Sequence, residues 1–360
     1  MRFLFLLLPL AALCYIMVRI YNILPFSPAI KTLAVVLGSG IFIAMFVSFI
    51  VGLEKLPMTA ATVLYEITTS WLFILLYLLM IFLLMDILRL CHVMPREVLF
   101  SSAKGSLIVT GIVFTIFLYG NIRYYHKDRV ALSVKTQKKL EKHYRIVMIS
   151  DLHLGYHNQR STFAKWIDMI NKENADLVLI AGDIIDISTH PINLQRSFEE
   201  FHRLNAPVYA CLGNHDYISG LEKSKEFYRN AGIKVLIDTC VLFNNDILLV
   251  GRNDRSDQSR KTIAQIIQGA DKTKYSILID HQPYNLEQSQ QAGIDFQFSG
   301  HTHYGQVFPI NLITDIVYEK AYGRYKKGNT DYYISSGLGI WGGKFRIGTK
   351  SEYVVLELSN

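Results

Sequence analysis

Seven side chains of types that bind metal ions are spread over the second half of the 360-residue chain. They are Asp151, His153, Asp183, Asn214, His281, His301 and His303. Carboxylate, carboxamide and imidazole ligands together suit Mn, Fe, Zn or Ni rather than calcium. Seven ligands are too many for one catalytic ion with an open position, and they suit two divalent ions that share a carboxylate. The residue types therefore predict the dinuclear metal centre of a hydrolase.

Short apolar runs rich in β-branched residues precede these ligands, and each run predicts a strand. The predicted strands cover residues 145–150, 176–181, 207–212, 275–280 and 295–299. Open α/β sheets place their sites at the carboxyl ends of strands, so we expect the ligands to converge on one rim. Glycines directly before Asp183, Asn214 and His301 let the backbone turn sharply and approach the metal ions closely.

The elements between the strands are predicted from apolar periodicity. Phe163, Trp166, Ile167 and Ile170 recur at spacings of three and four, which predicts an amphipathic helix over 161–173. A second helix is predicted near 193–204, and the run Asn-Asn-Asp at 244–246 predicts a hairpin turn. Alternating strands and helices indicate an α/β fold for residues 146–360.

Five short motifs carry the ligands, and their order is informative. They are Asp151-Leu-His153, Gly182-Asp183-Ile-Ile-Asp186, Gly213-Asn214-His215-Asp216, Asp280-His281 and Gly300-His301-Thr-His303. This order resembles the calcineurin-like metallophosphoesterase superfamily, over about residues 145–358. A closing run at 335–342, Ser-Ser-Gly-Leu-Gly-Ile-Trp-Gly, resembles with Arg346 the branch of membrane-associated bacterial phosphoesterases.

The resemblance implies a fold and a ligand set. The expected fold is two mixed β-sheets packed face to face, with helices on both outer faces. Asp183 is expected to bridge the two ions. Asp151, His153 and His303 complete the first metal site, and Asn214, His281 and His301 complete the second.

The resemblance also implies an acid catalyst. His215 is expected to protonate the leaving alkoxide, with Asp216 holding its tautomer, because imidazole exchanges protons near neutral pH. Asp186 is expected to orient a ligand without binding a metal ion. Asp280 receives no role beyond ending a strand. Other polar residues near the motifs are interpreted as surface or loop residues: His157, His190, Arg252, Asn253, Asp254, Arg255, Gly323, Arg324 and Arg346.

The first third of the chain has a different composition. Hydrophobic residues make up 51% of the protein, and apolar stretches fill residues 3–24, 32–53, 71–88 and 105–122. A span needs about 20 mainly apolar residues, so these stretches predict four transmembrane helices. Asp86 lies near the end of the third stretch, three residues before Arg89, and predicts an ion pair at the membrane interface.

Residues 123–145 are predicted to be a basic connector beside the membrane. It carries eight basic residues: Arg123, Lys127, Arg129, Lys135, Lys138, Lys139, Lys142 and Arg145. Such a cluster is attracted to anionic lipid headgroups and favours a cytoplasmic location for the domain that follows. The connector shows no recognisable nucleic-acid motif, so nucleic acid is not an expected partner.

These patterns together predict a multi-pass protein of the cell membrane with a cytoplasmic metallophosphoesterase domain. It is expected to hydrolyse a phosphate mono- or diester by a metal-bound hydroxide. The membrane anchor favours a lipid-linked phosphate or pyrophosphate as substrate and membrane lipids as partners. Two alternatives stay open, a metal-dependent nuclease and a catalytically weak membrane receptor or scaffold.

Overall fold

The computed structural model describes the backbone of residues 2–360 and the side chains of residues 8–360. It divides into two units. The helical unit contains the chain up to Ile122 together with Gly342–Phe345. The sheet unit contains Arg123–Trp341 and Arg346–Asn360.

Long apolar helices make up the helical unit. They are α1 (Arg2–Ile23), α2 (Pro28–Val51), α3 (Met58–Leu90) and α4 (Ala103–Tyr125). Helices α2, α3 and α4 are long and apolar enough to cross a membrane, as the sequence predicts for the second to fourth stretches. The predicted first span begins at residue 3, and the side chains of residues 3–7 lie outside the described range. Its described part, Leu8–Ile23, is shorter than a span.

Aromatic and aliphatic side chains hold the helical unit together. Ile16, Phe42, Leu78 and Phe82 belong to one buried cluster contributed by α1, α2 and α3. The separate segment Gly342–Phe345 joins this unit through its own contacts. The Phe345 ring lies 4.7 Å from that of Phe117, and Lys344 Nζ lies 2.7 Å from Glu66 Oε1.

Two six-stranded sheets form the sheet unit, all of which is described. The strands are β1 (Lys127–Lys135), β2 (Tyr144–Ile149), β3 (Leu177–Ala181), β4 (Val208–Cys211), β5 (Lys234–Val235), β6 (Thr239–Phe243), β7 (Ile247–Gly251), β8 (Tyr275–Ile279), β9 (Phe296–Ser299), β10 (Gly323–Lys327), β11 (Thr330–Ile334) and β12 (Ser351–Ser359). The orders are β1-β12-β2-β3-β4-β5 and β10-β11-β9-β8-β7-β6. Both sheets mix parallel and antiparallel pairs.

Helices of the sheet unit lie on the outer faces of both sheets and along their rim. They are α5 (Arg160–Asn171), α6 (His190–Leu194), α7 (Phe198–Phe201), α8 (Asn214–Ile218), α9 (Leu221–Asn230), α10 (Ile263–Ile266), α11 (Glu287–Ala292) and α12 (Ile310–Val317). Phe163 and Phe227 of α5 and α9 pack on the first sheet, and Ile263 of α10 packs on the second. The predicted α/β architecture of two packed mixed sheets is confirmed.

Alternation along the strands explains their unbroken apolar sequence. In β2, Ile146 and Met148 face the core between the sheets, whereas Val147 and Ile149 face the helices. Successive strand residues point to opposite faces, and here both faces are buried. An all-apolar run is therefore the pattern that these strands require.

Most of the predicted elements between the strands are present. Helix α5 and the hairpin of β6 and β7 occur where the sequence predicts them. The single helix predicted near 193–204 is wrong. Arg196 has a φ of 54°, and the chain forms the short helices α6 and α7 instead.

Strand β1 lies within the predicted basic connector. It pairs in parallel with β12 along its whole length. Five basic residues of 123–145 also form ion pairs inside the sheet unit: Arg123 with Asp128, Arg129 with Glu173, Lys138 with Asp295, Lys142 with Asp176, and Arg145 with Glu357. These carboxylates reduce the positive charge that the segment offers to an anionic surface.

Candidate metal centre

The strands bring the ligand motifs to one rim of the sheet unit. Asp151, Asp183 and Asn214 follow the ends of β2, β3 and β4, which are neighbours in the first sheet. His281 and His301 follow β8 and β9, which are neighbours in the second sheet. The backbone continues this contact beyond the strands, because His153 N donates to Asp183 O at 3.0 Å.

Unusual backbone conformations occur at these residues. Asp151, His153, Asp183, His301 and His303 have φ values of 55°, 44°, 51°, 71° and 47°. A sparsely populated conformation costs a non-glycine residue about 1–3 kcal/mol, and it persists where the surrounding structure imposes it. Such strain clusters at functional sites, and here it turns five side chains towards one point.

One group of side chains is formed by Asp151, His153 and His303. His303 Nε2 lies 3.1 Å from His153 Nε2 and 3.6 Å from Asp151 Oδ1. A ligand atom from each of the three lies within 4.8 Å of the others. The carboxylate of Asp151 is held in place because it accepts a hydrogen bond from His301 N at 3.0 Å.

A second group is formed by Asp183, His281 and His301, with Asn214 beside them. Asp183 Oδ2 lies 3.1 Å from His281 Nε2, and ligand atoms of the three residues lie within 4.8 Å of one another. Asn214 Oδ1 lies 2.8 Å from His301 Nδ1 and 3.2 Å from His281 Nε2. The structure therefore brings all seven predicted ligands together.

Asp183 lies between the two groups. Its Oδ2 is 3.1 Å from His281 Nε2 and 3.7 Å from His153 Nε2. Its Oδ1 accepts a hydrogen bond from His215 N at 2.9 Å, which fixes the carboxylate in place. A Cβ at Gly213 would collide with this carboxylate, so only glycine fits there.

The hydrogen bonds of Nδ1 in His281 and His153 indicate whether these histidines can bind metal ions through Nε2. His281 Nδ1 lies 2.7 Å from Ala181 O, and His153 Nδ1 lies 3.2 Å from Asp186 Oδ1. In the neutral rings these nitrogens donate, which turns the Nε2 lone pairs towards Asp183. A lone pair facing a carboxylate is repelled unless a cation lies between them, so the donors fit metal ions.

The part of the sheet unit that carries these motifs is similar to known proteins. A family profile described as calcineurin-like phosphoesterase matches residues 144–305. An uncharacterized metallophosphoesterase of Campylobacter jejuni is 32% identical over 260 residues, which cover 69% of this chain and 68% of that protein. The chain belongs to the calcineurin-like phosphoesterase family.

Two further relatives extend the similarity within this family. An uncharacterized metallophosphoesterase of Helicobacter pylori is 32% identical over 227 residues, which cover 61% of each chain. A zebrafish (Danio rerio) protein named transmembrane protein with metallophosphoesterase domain is 28% identical over 232 residues, or 59% of this chain and 53% of that one. The chain is thus a phosphoesterase hydrolase, and its long apolar helices associate it with a membrane.

The pKa values of the phosphoesterase centre favour an ionised Asp183 and divide the histidines into two pairs. Burial opposes the charged form of His153 and His281, but the neighbouring carboxylates outweigh burial and raise the pKa values of both. Burial alone would raise the pKa of Asp183, but the charge of His281 holds it well below its usual value. Burial lowers the pKa of His301 to about 4, and it lowers the pKa of His303 well below its usual value. Metal coordination requires a charged carboxylate and neutral histidines, so bound ions would replace the protons that the carboxylates favour on His153 and His281.

His215 lies at the open side of the centre, with its side chain 14% exposed. Its ring stands perpendicular to that of His153, with the centroids 4.5 Å apart. His215 Nδ1 lies 3.1 Å from Asp186 O and 3.6 Å from Asp186 Oδ1. Asp186 therefore orients both His153 and His215.

Asp216 has a different position from the one predicted. Its carboxylate accepts hydrogen bonds from Gly213 N, at 2.7 Å, and from the Tyr228 hydroxyl. It caps the start of α8. Burial and the nearby charge of Asp183 raise the pKa of Asp216 to about 7. The prediction that Asp216 holds the His215 tautomer is wrong, because Asp186 contacts that nitrogen.

The prediction that Arg346 is a surface residue is also wrong. Arg346 is fully buried, and its guanidinium donates to His303 O at 2.7 Å and Gly339 O at 2.9 Å. Gly339 N in turn donates to Asp151 O at 3.0 Å. The closing run at 335–342 and Arg346 thus support the backbone of two candidate ligands.

Other residues predicted to lie at the surface are buried as well. Arg252, Asn253 and Asp254 are each at most 5% exposed. Arg252 Nη1 lies 3.4 Å from Asp280 Oδ2, which gives the buried Asp280 a partner. His157 is buried, with Nε2 2.7 Å from Ile340 O. In the amino-acid sequence these polar residues follow apolar strands, as solvated loop residues also do, so the sequence pattern did not reveal their burial.

Proposed function

We propose that this phosphoesterase is a membrane-anchored, dinuclear metal-dependent hydrolase of phosphate mono- or diesters. The observation that supports this most is the position of Asp183 between two groups of nitrogen and oxygen ligands. Asp151, His153 and His303 would hold one divalent ion, Asn214, His281 and His301 would hold the other, and Asp183 would be shared between them. When bound, two such ions neutralise the phosphate oxygens and activate water at neutral pH.

The residues around the ions have separate tasks in this proposal. The backbone of His215 holds Asp183, and its ring delivers a proton to the leaving-group oxygen. The backbone carbonyl of Asp186 accepts a hydrogen bond from His215 Nδ1. The proton that His215 transfers is therefore the one on Nε2. The Asp186 carboxylate lies 3.6 Å from His215 Nδ1, so it helps to hold the ring in this orientation.

Metal removal and reconstitution test the proposed function. The full chain, purified in a neutral detergent, is stripped with a chelator and titrated with Mn, Fe, Zn or Ni while hydrolysis of aryl phosphate mono- and diesters is measured. We expect activity to disappear on stripping and to return as two ions bind per chain. Full activity after stripping, or with one ion per chain, would contradict the dinuclear assignment.

A lipid-linked phosphate is the proposed substrate class, and α12 supports it. This helix follows the motif that carries His301 and His303, and none of its eight residues is buried. Leu312, Ile313, Ile316 and Val317 lie on one face and are 51%, 56%, 85% and 55% exposed. An apolar helix face of this kind lies in the interface of a bilayer.

The rim continues from the metal centre to α12 through aromatic rings. The ring of Tyr318, the residue after α12, lies 6.3 Å from that of His301. The tilted Tyr284 ring lies 4.8 Å from that of Tyr318, and the guanidinium of Arg255 lies over Tyr284 at 4.0 Å. An amphipathic substrate would contact the metal centre with its charged phosphate and α12 with its apolar tail.

The proposed anchor is a four-span region over residues 1–122, followed by the connector at 123–145 and a catalytic domain at 146–360 in the cytoplasm. Basic residues directly after α4 support this orientation. An alkaline phosphatase fused after Asn360 should be inactive, and protease added to intact cells should spare the domain. An active fusion would place the catalytic domain on the other side of the membrane.

The nuclease alternative has less support. Five of the eight basic residues at 123–145 are paired with carboxylates, so the segment is a weak guide for a phosphate backbone. Tight, salt-dependent binding of DNA or RNA to the purified chain would favour the nuclease instead.

A further inference from the structure

A cavity of about 870 Å³ lies at one end of the helical unit, far along the sequence from the metal ligands. It is lined by Arg19, Asp86, Arg89, Leu90, His92, Met94, Pro95 and Arg96. Arg19 and Asp86 are each four residues from the end of α1 or α3. Four residues of helix rise by about 6 Å, so both lie near the membrane interface.

Three arginines of this cavity converge on the ring of Phe100, which lies outside the lining. The guanidinium carbons of Arg19, Arg89 and Arg96 lie 5.9, 5.5 and 5.1 Å from the centre of the Phe100 ring. Like charges repel, and a single ring attracts each cation only weakly. The ring orients the guanidiniums without neutralising them.

Asp86 is the one carboxylate that lines this cavity among the described side chains. Its Oδ1 lies 2.9 Å from Arg19 Nη2, and its Oδ2 accepts a hydrogen bond from the Tyr15 hydroxyl at 2.6 Å. The predicted ion pair thus forms with Arg19 of another helix instead of the nearby Arg89. Both oxygens of Asp86 are engaged, and Arg89 and Arg96 have no carboxylate in the lining.

One N–H group of the Arg19 guanidinium has no hydrogen-bond acceptor among the described residues. The residue is 7% exposed, and the group is the one on Nε. Leaving a buried charged donor unsatisfied is unfavourable, so the environment of Arg19 does not neutralise it fully. The uncompensated charges of Arg89 and Arg96 favour an anion in this cavity. The C-terminal dipole of α3 offsets only about half a charge.

We propose that this cavity binds the phosphate group of an anionic phospholipid. Guanidinium is the cation that matches phosphate oxygens in a fork, and three are present. Leu90, Met94 and Pro95 give the same cavity an apolar side, which suits the glycerol and first methylenes of a lipid. Its volume fits a headgroup, because ligand sites commonly occupy about 300–1,000 Å³.

Lipid binding to the full chain tests this site. The protein is prepared in nanodiscs of phosphatidylcholine with or without phosphatidylglycerol, and retained lipid is measured by native mass spectrometry after release into detergent. The variant Arg89→Gln/Arg96→Gln removes two half-buried or exposed cations of the cavity. Lys55→Gln/Lys104→Gln removes the same charge from exposed positions outside its lining.

We expect the wild type and the lysine variant to retain phosphatidylglycerol in preference to phosphatidylcholine by at least about tenfold, and the arginine variant to lose this preference. Hydrolysis of an aryl phosphate by all three proteins controls for folding. Equal retention by the arginine variant would overturn the proposal. If millimolar inorganic phosphate displaces the lipid completely and protects the detergent-solubilised protein equally from heat, the site serves soluble phosphate, and the lipid assignment fails.

Discussion

Two neighbouring segments on the rim of the sheet unit differ in how the protein holds them. His301 and His303 belong to a loop that is fixed by hydrogen bonds to Asp151, Asn214 and Arg346. Helix α12 begins seven residues after His303 and places no side chain in the core. The first segment is polar and strained, and the second is apolar and exposed.

This contrast indicates which interactions each segment still lacks. The loop is held by these hydrogen bonds and presents nitrogen and oxygen lone pairs, which a cation would stabilise. The helix is linked to the loop at its surface, where the Tyr304 hydroxyl donates to Asp315 at 3.1 Å, and it presents aliphatic side chains that an acyl layer would bury. Changes in the loop should affect every substrate, whereas changes in α12 should affect only lipids.

The largest effect is expected for Asp183→Asn. An amide is isosteric but removes the negative charge between the two ligand groups, so two cations no longer lie close together. We expect the bound metal to fall below two ions per chain and hydrolysis of all substrates to fall by several orders of magnitude. Elemental analysis and aryl phosphate hydrolysis measure both quantities.

The matched control is Asp216→Asn, the same substitution on the same rim. The amide oxygen of the introduced side chain can still accept from Gly213 N, so the cap of α8 is retained. We expect both ions to stay bound and activity to fall less than about tenfold, the scale of one net hydrogen bond. Equal losses of metal and activity in the two variants would contradict the assignment of Asp183 as the bridge between the ions and Asp216 as the cap of α8.

His215→Ala should have the next largest effect, and a selective one. General acid catalysis contributes about 10²–10⁴-fold, and it matters most when the leaving group is a poor one. We therefore expect alkyl phosphates to lose this factor while activated aryl phosphates lose much less. The metal content should stay at the wild-type level. Equal losses on both substrates, or loss of metal, would assign His215 to metal binding instead.

The sheets and the convergence of ligands could be predicted because both follow from local patterns. Unbroken apolar runs mark strands buried on both faces, and the residue after a strand end is fixed in space by the strand itself. Asp151 and Asp183 could thus be grouped although 32 residues separate them. The left-handed backbone at both was not predictable, since it depends on the contacts between loops.

Residues whose roles depend on tertiary packing were missed for a physical reason. Arg346 appears in sequence as one more arginine, and only the fold surrounds it with the carbonyls of Ser336, Gly339 and His303. Likewise, 67 residues separate Arg19 from Asp86, and no spacing indicates that α1 and α3 bring them together. The glycines of the closing run were the available signal for Arg346.

A smaller effect is expected for Arg346→Lys. Lysine keeps a positive charge, but its ammonium cannot span the separate carbonyl oxygens that the guanidinium contacts. Loss of a supporting partner typically lowers metal affinity by about 10–100-fold, and we expect this for one of the two ions. Metal titration should show the weakened site, and excess metal should restore activity. Arg324→Lys, at an exposed position of β10, should leave the titration unchanged.

The smallest effect, and the most selective, is expected for Ile316→Asp. Ile316 is 85% exposed, so the change removes no core contact and should not alter the hydrolysis of a soluble aryl phosphate. Burying isoleucine in the acyl layer is worth about 1.5–3 kcal/mol, so hydrolysis of a lipid phosphate in proteoliposomes should fall about tenfold or more. Leu194→Asp, at an exposed position of α6, provides the control and should change neither activity.

Fluorescence separates bilayer contact from an effect on catalysis. Tryptophan introduced by Ile316→Trp should be quenched by brominated lipid in proteoliposomes, whereas tryptophan introduced by Leu194→Trp should not. Quenching at both positions, or at neither, would contradict a specific contact of α12 with the bilayer. If Ile316→Asp lowers soluble and lipid hydrolysis equally, α12 supports the metal centre, and the contrast between the two rim segments no longer holds.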